Sequence, residues 1–219
     1  MKDMVRVKIC GITSLEDALA SVAAGASMLG FNFYRRSPRY IEPLAVGRIV
    51  GKLPPWIMSV GVFVNERKDE VERIASEAHL SAVQLHGDES PSYCRDLKKF
   101  FVIKALRVSD DFQPEQAALY ETDEVLLDGF KAQRYGGTGR SFDWSIASRT
   151  RPLVEKLFLA GGLDSTNVAT AIATVQPYAI DVCSSLESRP GRKDHELLGS
   201  FIQVAQKGGA TFRANEQRV

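Results

Sequence analysis

The sequence has no strong excess of either charge, no long apolar run and few cysteines, and each shortage excludes a class of protein. Its 28 Lys and Arg residues balance 27 Asp and Glu residues, so the basic stripe of a nucleic-acid-binding protein is missing. No uninterrupted apolar run is long enough to cross a bilayer. Residues 1–4 lead into a strand pattern without an apolar signal region. We therefore expect a cytoplasmic protein that binds neither nucleic acid nor membrane.

Disulfides and metal sites are also disfavoured. The three cysteines, Cys10, Cys94 and Cys183, are an odd number in a chain without a secretory signal, which favours free thiols. His86 has no second histidine at ligand spacing, so we predict no metal ion.

Two nucleotide-binding motifs are missing as well. The first strand is not followed by G-x-G-x-x-G, which disfavours a dinucleotide-binding sheet. The glycine-rich stretch 135–140 lacks the Gly-Lys-Ser/Thr of a Walker loop. We interpret it as a lid over an active site.

Strand and helix patterns alternate eight times along the chain. Such alternation predicts a parallel sheet, and eight units predict a closed (β/α)₈ TIM barrel of the α/β class. We expect a single barrel domain over residues 1–212 and a polar tail over 213–219. The predicted strands cover residues 5–10, 28–33, 57–64, 81–85, 101–106, 124–129, 156–160 and 178–183.

The first unit shows the pattern most clearly. Arg6, Lys8 and Cys10 share one face of the strand, because strand side chains alternate, and so polar a face suggests a barrel interior lined with polar groups. Thr13 or Ser14 can cap the following helix and Gly25 can end it. The apolar residues of this helix, which include Leu15, Ala18 and Leu19, are predicted to form its buried side.

Active sites of these barrels lie at the carboxyl ends of the strands. Position alone therefore selects a short set of candidates. They are Cys10, Asn32, Gln84, His86, Asp128, Gly161, Gly162 and Asp181.

Two of these candidates suit acid and base chemistry. Asp128 ends an apolar strand, where lost solvation favours the protonated acid. An ordinary thiol titrates near ~8.5, so Cys10 needs only a modest shift to serve as a base. A buried structural thiol and a turn-forming aspartate are the alternative interpretations of these two residues.

Phosphate binding is predicted for the loops after strands seven and eight, where these barrels often place it. Gly161 and Gly162 allow backbone N–H groups to approach an anion, and Ser184 and Ser185 add hydroxyls. The loop with Arg35, Arg36 and Arg39 lies at the mouth, and an arginine fork matches a carboxylate or phosphate. We expect at most one of these arginines to contact a substrate.

The ordered set of motifs resembles the phosphoribosylanthranilate isomerases of tryptophan biosynthesis. The resemblance runs almost from end to end. It is carried by residues 8–13, 30–34, 37–41, 60–65, 83–87, 126–128 with 136–139, 160–163 and 181–182.

The resemblance implies a cofactor-free Amadori rearrangement that converts an aminoaldose to a 1-deoxyribulose 5-phosphate. It implies that Cys10 is the general base, that Asp128 is the general acid and that Arg39 binds the anthranilate carboxylate. His86 and Asp181 are further expected substrate contacts, and the protein would be a monomer or a homodimer. The phosphate site is implied at Gly161, Gly162, Ser184 and Ser185, although the family commonly has glycine at the position of Ser185.

Two other functions stay open at this point. The related sugar isomerase of histidine biosynthesis is expected to have an aspartate in place of Cys10. A barrel that binds a ligand without turnover is disfavoured because both Cys10 and Asp128 are present.

Overall fold

Eight parallel strands close into one barrel, as the sequence predicts. The computed structural model describes residues 5–97, 99–129 and 142–216, the last of these with side chains to residue 208. Neighbours in the sequence are neighbours in the barrel, and β8 closes the ring on β1. The strands are β1 (Arg6–Cys10), β2 (Met28–Asn32), β3 (Met58–Phe63), β4 (Ala82–Leu85), β5 (Phe101–Val108), β6 (Glu124–Gly129), β7 (Leu157–Leu159) and β8 (Ala179–Val182).

Helices surround the barrel on its outer face. They are α1 (Leu15–Ala24), α2 (Pro43–Val50), α3 (Lys68–Glu77), α4 (Pro91–Asp96), α5 (Trp144–Thr150), α6 (Val168–Val175) and α7 (His195–Glu216). Between β5 and β6 the connection is a 3₁₀ segment, Pro114–Leu119. Its weak apolar pattern is too short to bury a full helical face.

The last helix is longer than the sequence pattern predicts. The apolar pattern ends near Lys207, but α7 continues to Glu216. Residues 217–219 of the predicted tail and residues 135–140 of the predicted lid lie outside the described residues. The domain division at residue 212 stays a prediction. Within the described residues, no helix combines the length and the apolar composition that a bilayer crossing requires.

Two apolar layers hold the barrel together. The larger layer lies between the strands and the helices. The smaller one fills the barrel interior below the strand ends and includes Met28, Val60, Ile103, Leu126 and Phe158. Leu126 shares a strand face with Glu124 and Asp128, since alternate residues point the same way. The polar strand ends therefore stand directly above an apolar floor.

A short hairpin follows β8 and was not predicted. Its strands are β9 (Glu187–Arg189) and β10 (Arg192–Lys193), with Gly191 at a positive φ of 81° in the turn. The hairpin brings two charged residues, Glu187 and Lys193, back toward the end of β8.

Candidate active site

One cavity opens at the carboxyl ends of the strands. Its volume of about 940 Å³ is typical of a small-molecule site. Gln84, one of the strand-end candidates, does not line it, whereas Asn32 and nine further predicted residues do. These residues are Cys10, Arg39, His86, Asp128, Gly161, Gly162, Asp181, Ser184 and Ser185.

The Cys10 thiol lies between an ammonium group and a second thiol. A Cβ placed on Gly30 would lie 2.8 Å from Cys10 Sγ and 3.0 Å from Lys8 Nζ. Both atoms therefore lie next to the Gly30 backbone, where there is no side chain. On the other side lies Cys183, which lines the same cavity one residue after the end of β8. Hydrogen bonding from the Cys183 thiol lowers the pKa of Cys10 well below its ordinary value against the effect of burial, and the Lys8 charge lowers it further.

Lys8 is itself held by a buried carboxylate. Its Nζ donates to Asp181 Oδ1 at 2.9 Å, and the two residues are registered partners on β1 and β8. Burial opposes both charges and raises the pKa of Asp181 to about 7 although Lys8 lowers it. The negative charges of Asp181 and Cys10 nevertheless raise the pKa of Lys8 above the ordinary value. The interior face of β1 is therefore charged and paired, as its sequence pattern suggests.

Asp128 lies across the barrel at the end of β6, with a buried and only partly satisfied carboxyl group. Its Oδ2 lies 3.4 Å from His86 Nε2, which is long for a hydrogen bond. Its Oδ1 and His86 Nε2 are both buried without a hydrogen-bond partner among the described residues. Buried polar atoms without partners are costly, so this pair is poised to bond a ligand.

His86 is oriented by the residue two positions before it. Gln84 Nε2 lies 2.8 Å from His86 Nδ1. With the amide nitrogen donating to Nδ1, a neutral imidazole carries its proton on Nε2. The Nε2 proton then faces Asp128.

Arg39 is only partly committed to a protein partner. Its Nε and Nη2 donate to the Glu187 carboxylate, Nη2 at 2.7 Å, while Nη1 has no partner within the described part of the chain. Arg36 also lines the cavity, whereas Arg35 lies over the ring of Tyr40, with Cζ 5.4 Å from the ring centroid. The arginine loop thus presents Arg36 and one edge of Arg39 to a ligand.

The two predicted phosphate loops meet at one side of the cavity. Gly161 and Gly162 have positive φ angles of 86° and 65°, which favour glycine. Ser184 begins a 3₁₀ turn, and no backbone N–H of Gly162, Ser184 or Ser185 has an acceptor among the described residues. The Ser185 hydroxyl instead donates to the Leu163 carbonyl and ties the two loops together. The backbone N–H of Ser185, and not its hydroxyl, is therefore available to bind an anion.

Sequence analysis missed three residues next to the site. The sequence predicts a free thiol at Cys183, at the start of the phosphate loop, but no role for its side chain, and it predicts no role for the hairpin residues Glu187 and Lys193. Lys193 Nζ donates to the Cys183 carbonyl and to Glu187 Oε1, both at 3.1 Å. Only one of the three has a signal in the sequence. Cys183 lies two residues after Asp181, and alternation along the strand predicts that both side chains point into the barrel.

Comparison with known proteins agrees with this geometry. A family model described as "N-(5'phosphoribosyl)anthranilate (PRA) isomerase" matches residues 7–204. The N-(5'-phosphoribosyl)anthranilate isomerases of Trichlorobacter lovleyi and Thermotoga maritima are each 48% identical over 204 residues, which cover 93% of this chain and 99% of theirs.

Solved structures show the same similarity. The phosphoribosyl anthranilate isomerase of Thermotoga maritima superposes with a TM-score of 0.88 at 47% identity and covers 93% of this chain and 100% of its own. The enzyme of Thermus thermophilus gives a TM-score of 0.85 at 37% identity, covering 91% and 98%. The barrel, the nine cavity residues and these matches lead to one conclusion: the chain belongs to the N-(5'-phosphoribosyl)anthranilate isomerase family.

Proposed function

We propose that this member of the family isomerises N-(5'-phosphoribosyl)anthranilate in tryptophan biosynthesis, with Asp128 as general acid and Cys10 as general base. One observation carries the assignment of roles. The thiol on β1 and the carboxyl group on β6 line the same cavity, and the phosphate loops of β7 and β8 lie between those strands in the barrel order. A sugar phosphate held by these loops lies between an acid and a base.

The proposed reaction needs only proton transfers. Asp128 protonates the furanose ring oxygen, and the C1′–O bond breaks to give a Schiff base. The Cys10 thiolate then removes the C2′ proton to form an enolamine, which tautomerises to the ketone by gaining a proton at C1′ and losing one from the C2′ hydroxyl. A base that is ionised and an acid that keeps its proton are both required, and the surroundings of Cys10 favour its ionised form.

The charged groups at the mouth support binding of the two ends of the substrate. Arg39 Nη1 is available for the anthranilate carboxylate, and the backbone at Gly162, Ser184 and Ser185 suits a phosphate. A structure that matches this chain at a TM-score of 0.85 and 45% identity is described in complex with reduced 1-(o-carboxyphenylamino)-1-deoxyribulose 5-phosphate. Such a ligand carries both a carboxyl group and a phosphate.

Fluorescence tests the proposal directly. Adding the enzyme to phosphoribosylanthranilate should cause a loss of anthranilate-type fluorescence, because the amine changes its substituent. No change under conditions in which a known isomerase works would disprove the activity. The aminoaldose of histidine biosynthesis is the matched alternative substrate, and turnover of that compound alone would favour the runner-up function.

The cellular setting is part of the proposal. All three cysteines are unpaired, and a thiolate base functions only where it stays reduced, which supports a cytoplasmic location. We further propose that the small-molecule substrate is the main partner and that the enzyme is a monomer or a homodimer. One matching structure is described as monomers generated from a dimeric enzyme of Thermotoga maritima. Sedimentation analysis distinguishes the two states.

A further inference from the structure

The thiol of Cys183 has a position that the proposed reaction does not explain. Lys8 and Asp181 are registered partners whose side chains meet inside the barrel. Two residues further along the chain, Cys10 ends β1 and Cys183 is the first residue after β8, and both keep the inward parity of their strands. A Cβ placed on Gly11 would lie 2.9 Å from Cys183 Sγ. Cys183 Sγ thus lies against the residue that follows Cys10, and both thiols line the same part of the cavity wall.

We propose that Cys183 is a positioning residue for the isomerase reaction, whose thiol proton holds the Cys10 thiolate in place as the base. This inference rests on the proposed function for its catalytic meaning. It concerns a residue that touches the base and need not touch the substrate.

The charges around the pair decide which sulfur keeps its proton. Cys183 Sγ lies 3.9 Å from the Glu187 carboxylate, and a nearby anion disfavours a thiolate there. Lys193 Nζ is also 3.9 Å from Cys183 Sγ, but its charge is already paired with Glu187 at 3.1 Å. Cys10 instead lies against Lys8. The negative charge is therefore favoured on Cys10 and the proton on Cys183.

The proton of Cys183 has two candidate acceptors. Glu187 already accepts hydrogen bonds from Arg39, Lys193 and the Gly191 N–H. The Cys10 thiolate has fewer donors, so the thiol proton gains more by pointing to Cys10. The hydrogen bond raises the pKa of Cys183 and lowers that of Cys10. The charged and titratable groups that face the pair are Lys8, Arg39, His86, Asp181, Glu187 and Lys193.

Three variants, kept under a reducing agent, test the proposal. Cys183→Ala removes the donor, and Cys183→Ser retains a donor that does not ionise. Cys94→Ala makes the same deletion at a buried thiol of α4 outside the cavity. The acid limb of kcat/KM against pH reports the base of the free enzyme. We expect Cys183→Ala to move this limb to higher pH by about one pH unit, which is about a tenfold loss of kcat/KM at a fixed low pH. The serine and Cys94 variants should keep the wild-type limb.

A second readout does not require turnover. Ultraviolet thiolate absorbance of the free enzyme should show Cys10 ionising at higher pH in Cys183→Ala than in the wild type, with Cys10→Ser assigning the signal. If the protein does not isomerise phosphoribosylanthranilate but this shift occurs, the proposed function fails, whereas the stabilisation of the Cys10 thiolate by Cys183 stands. An unchanged Cys10 titration, or a loss of activity equal at every pH, would overturn the role of Cys183.

The wild-type protein supplies the check if the alanine variant does not fold. Iodoacetamide reacts with thiolates, and peptide mass analysis separates the two sites. We expect Cys10 to be alkylated at least about tenfold faster than Cys183 near neutral pH, as one unit of pKa difference requires. Equal rates, or faster modification of Cys183, would contradict the proposal.

Discussion

At the scale of single residues, Cys10 and Asp128 are expected to be indispensable for turnover. Cys10→Ala removes the proton acceptor, and Asp128→Asn keeps the shape of the side chain but has no acid proton to give. Each change should lower kcat by about 10²–10⁴-fold, the usual contribution of a general acid or base. Steady-state kinetics measures the loss, and circular dichroism checks the fold. Near-normal turnover of either variant would show that the role is misassigned.

Glu124 is a buried carboxyl group that the reaction does not use. It lies 1% exposed at the start of β6, and both of its carboxyl oxygens lack a partner among the described residues. Burial raises its pKa to about 8, although Lys156 and Arg6 oppose the shift. As pH rises, Glu124 therefore loses its proton at lower pH in the unfolded chain than in the folded protein. Between the ordinary pKa of 4.5 and the folded pKa of about 8, ionisation of Glu124 favours unfolding.

Glu124→Gln should remove that pH dependence. Both proteins should have similar stability below pH 4.5, because the carboxyl group is then neutral in either state. The variant should gain up to about 1.4 kcal/mol per pH unit over the wild type until the folded pKa is passed. Urea unfolding at a series of pH values measures the difference. Parallel curves for the two proteins would mean that Glu124 is ionised in the folded state.

At the scale of elements, the β7 loop depends on a glycine that shapes the cavity. Gly161 has a φ of 86°, and a Cβ there would lie 2.5 Å from the Gly129 backbone nitrogen and 3.0 Å from Asp128 Oδ1. Gly161→Ala should therefore displace the end of β6 as well as its own loop. We expect a loss of about 1–3 kcal/mol in the free energy of unfolding and a lower kcat/KM.

A second glycine provides the matched control. Gly199 lies in α7, and a Cβ there would meet nothing within 4 Å. Gly199→Ala should stabilise the protein by about 0.5–1 kcal/mol, because alanine favours a helix, and should leave kcat/KM unchanged. Thermal unfolding and steady-state kinetics measure both effects. If Gly161→Ala behaved like Gly199→Ala, the loop would not require its left-handed backbone.

The elements also show which kinds of information the sequence contains. Local signals identified the start and end of α1 correctly, since Ser14 accepts from the Asp17 N–H and Gly25 ends the helix with a φ of 109°. The buried side of α1 was partly wrong. Leu19 is 44% exposed, whereas Asp17 is buried because its carboxylate accepts from His195 Nε2 and from the Lys193 N–H. Those partners are more than 170 residues away, and no local pattern reveals them.

The same distinction applies to the site. Position at a strand end was enough to place Cys10, Asp128 and Asp181 around one cavity, because the barrel brings all carboxyl ends together. The placement of Cys183 beside Cys10 depends on the closure of β8 on β1. The contacts of Glu187 depend on a hairpin whose turn is marked by Pro190 and Gly191 but whose strands, of three and two residues, are too short to show a strand pattern. Contacts made by closure and by irregular loops required the structure.

At the scale of the whole molecule, a buried ion pair lies at the seam where the first and last strands close the barrel. Lys8 and Asp181 are 0% and 8% exposed, with Nζ 2.9 Å from Oδ1. Breaking a buried pair leaves one charge without a partner, whereas apolar replacement of both residues is often neutral. The same ammonium group also lies beside Cys10, so this pair links closure of the barrel to the state of the base.

Variants of this pair should separate stability from activity. Lys8→Met should lower the free energy of unfolding by about 3–5 kcal/mol, and Lys8→Met with Asp181→Leu should recover most of that loss. Turnover should stay low in both proteins, since neither has the charge that stabilises the Cys10 thiolate. Glu70→Gln at the exposed Arg73 pair is the control and should change little. Urea unfolding and kinetics together decide the outcome. A double variant with restored turnover would show that the buried pair only closes the barrel, whereas restored stability without turnover shows that the pair is retained for activity and not for folding.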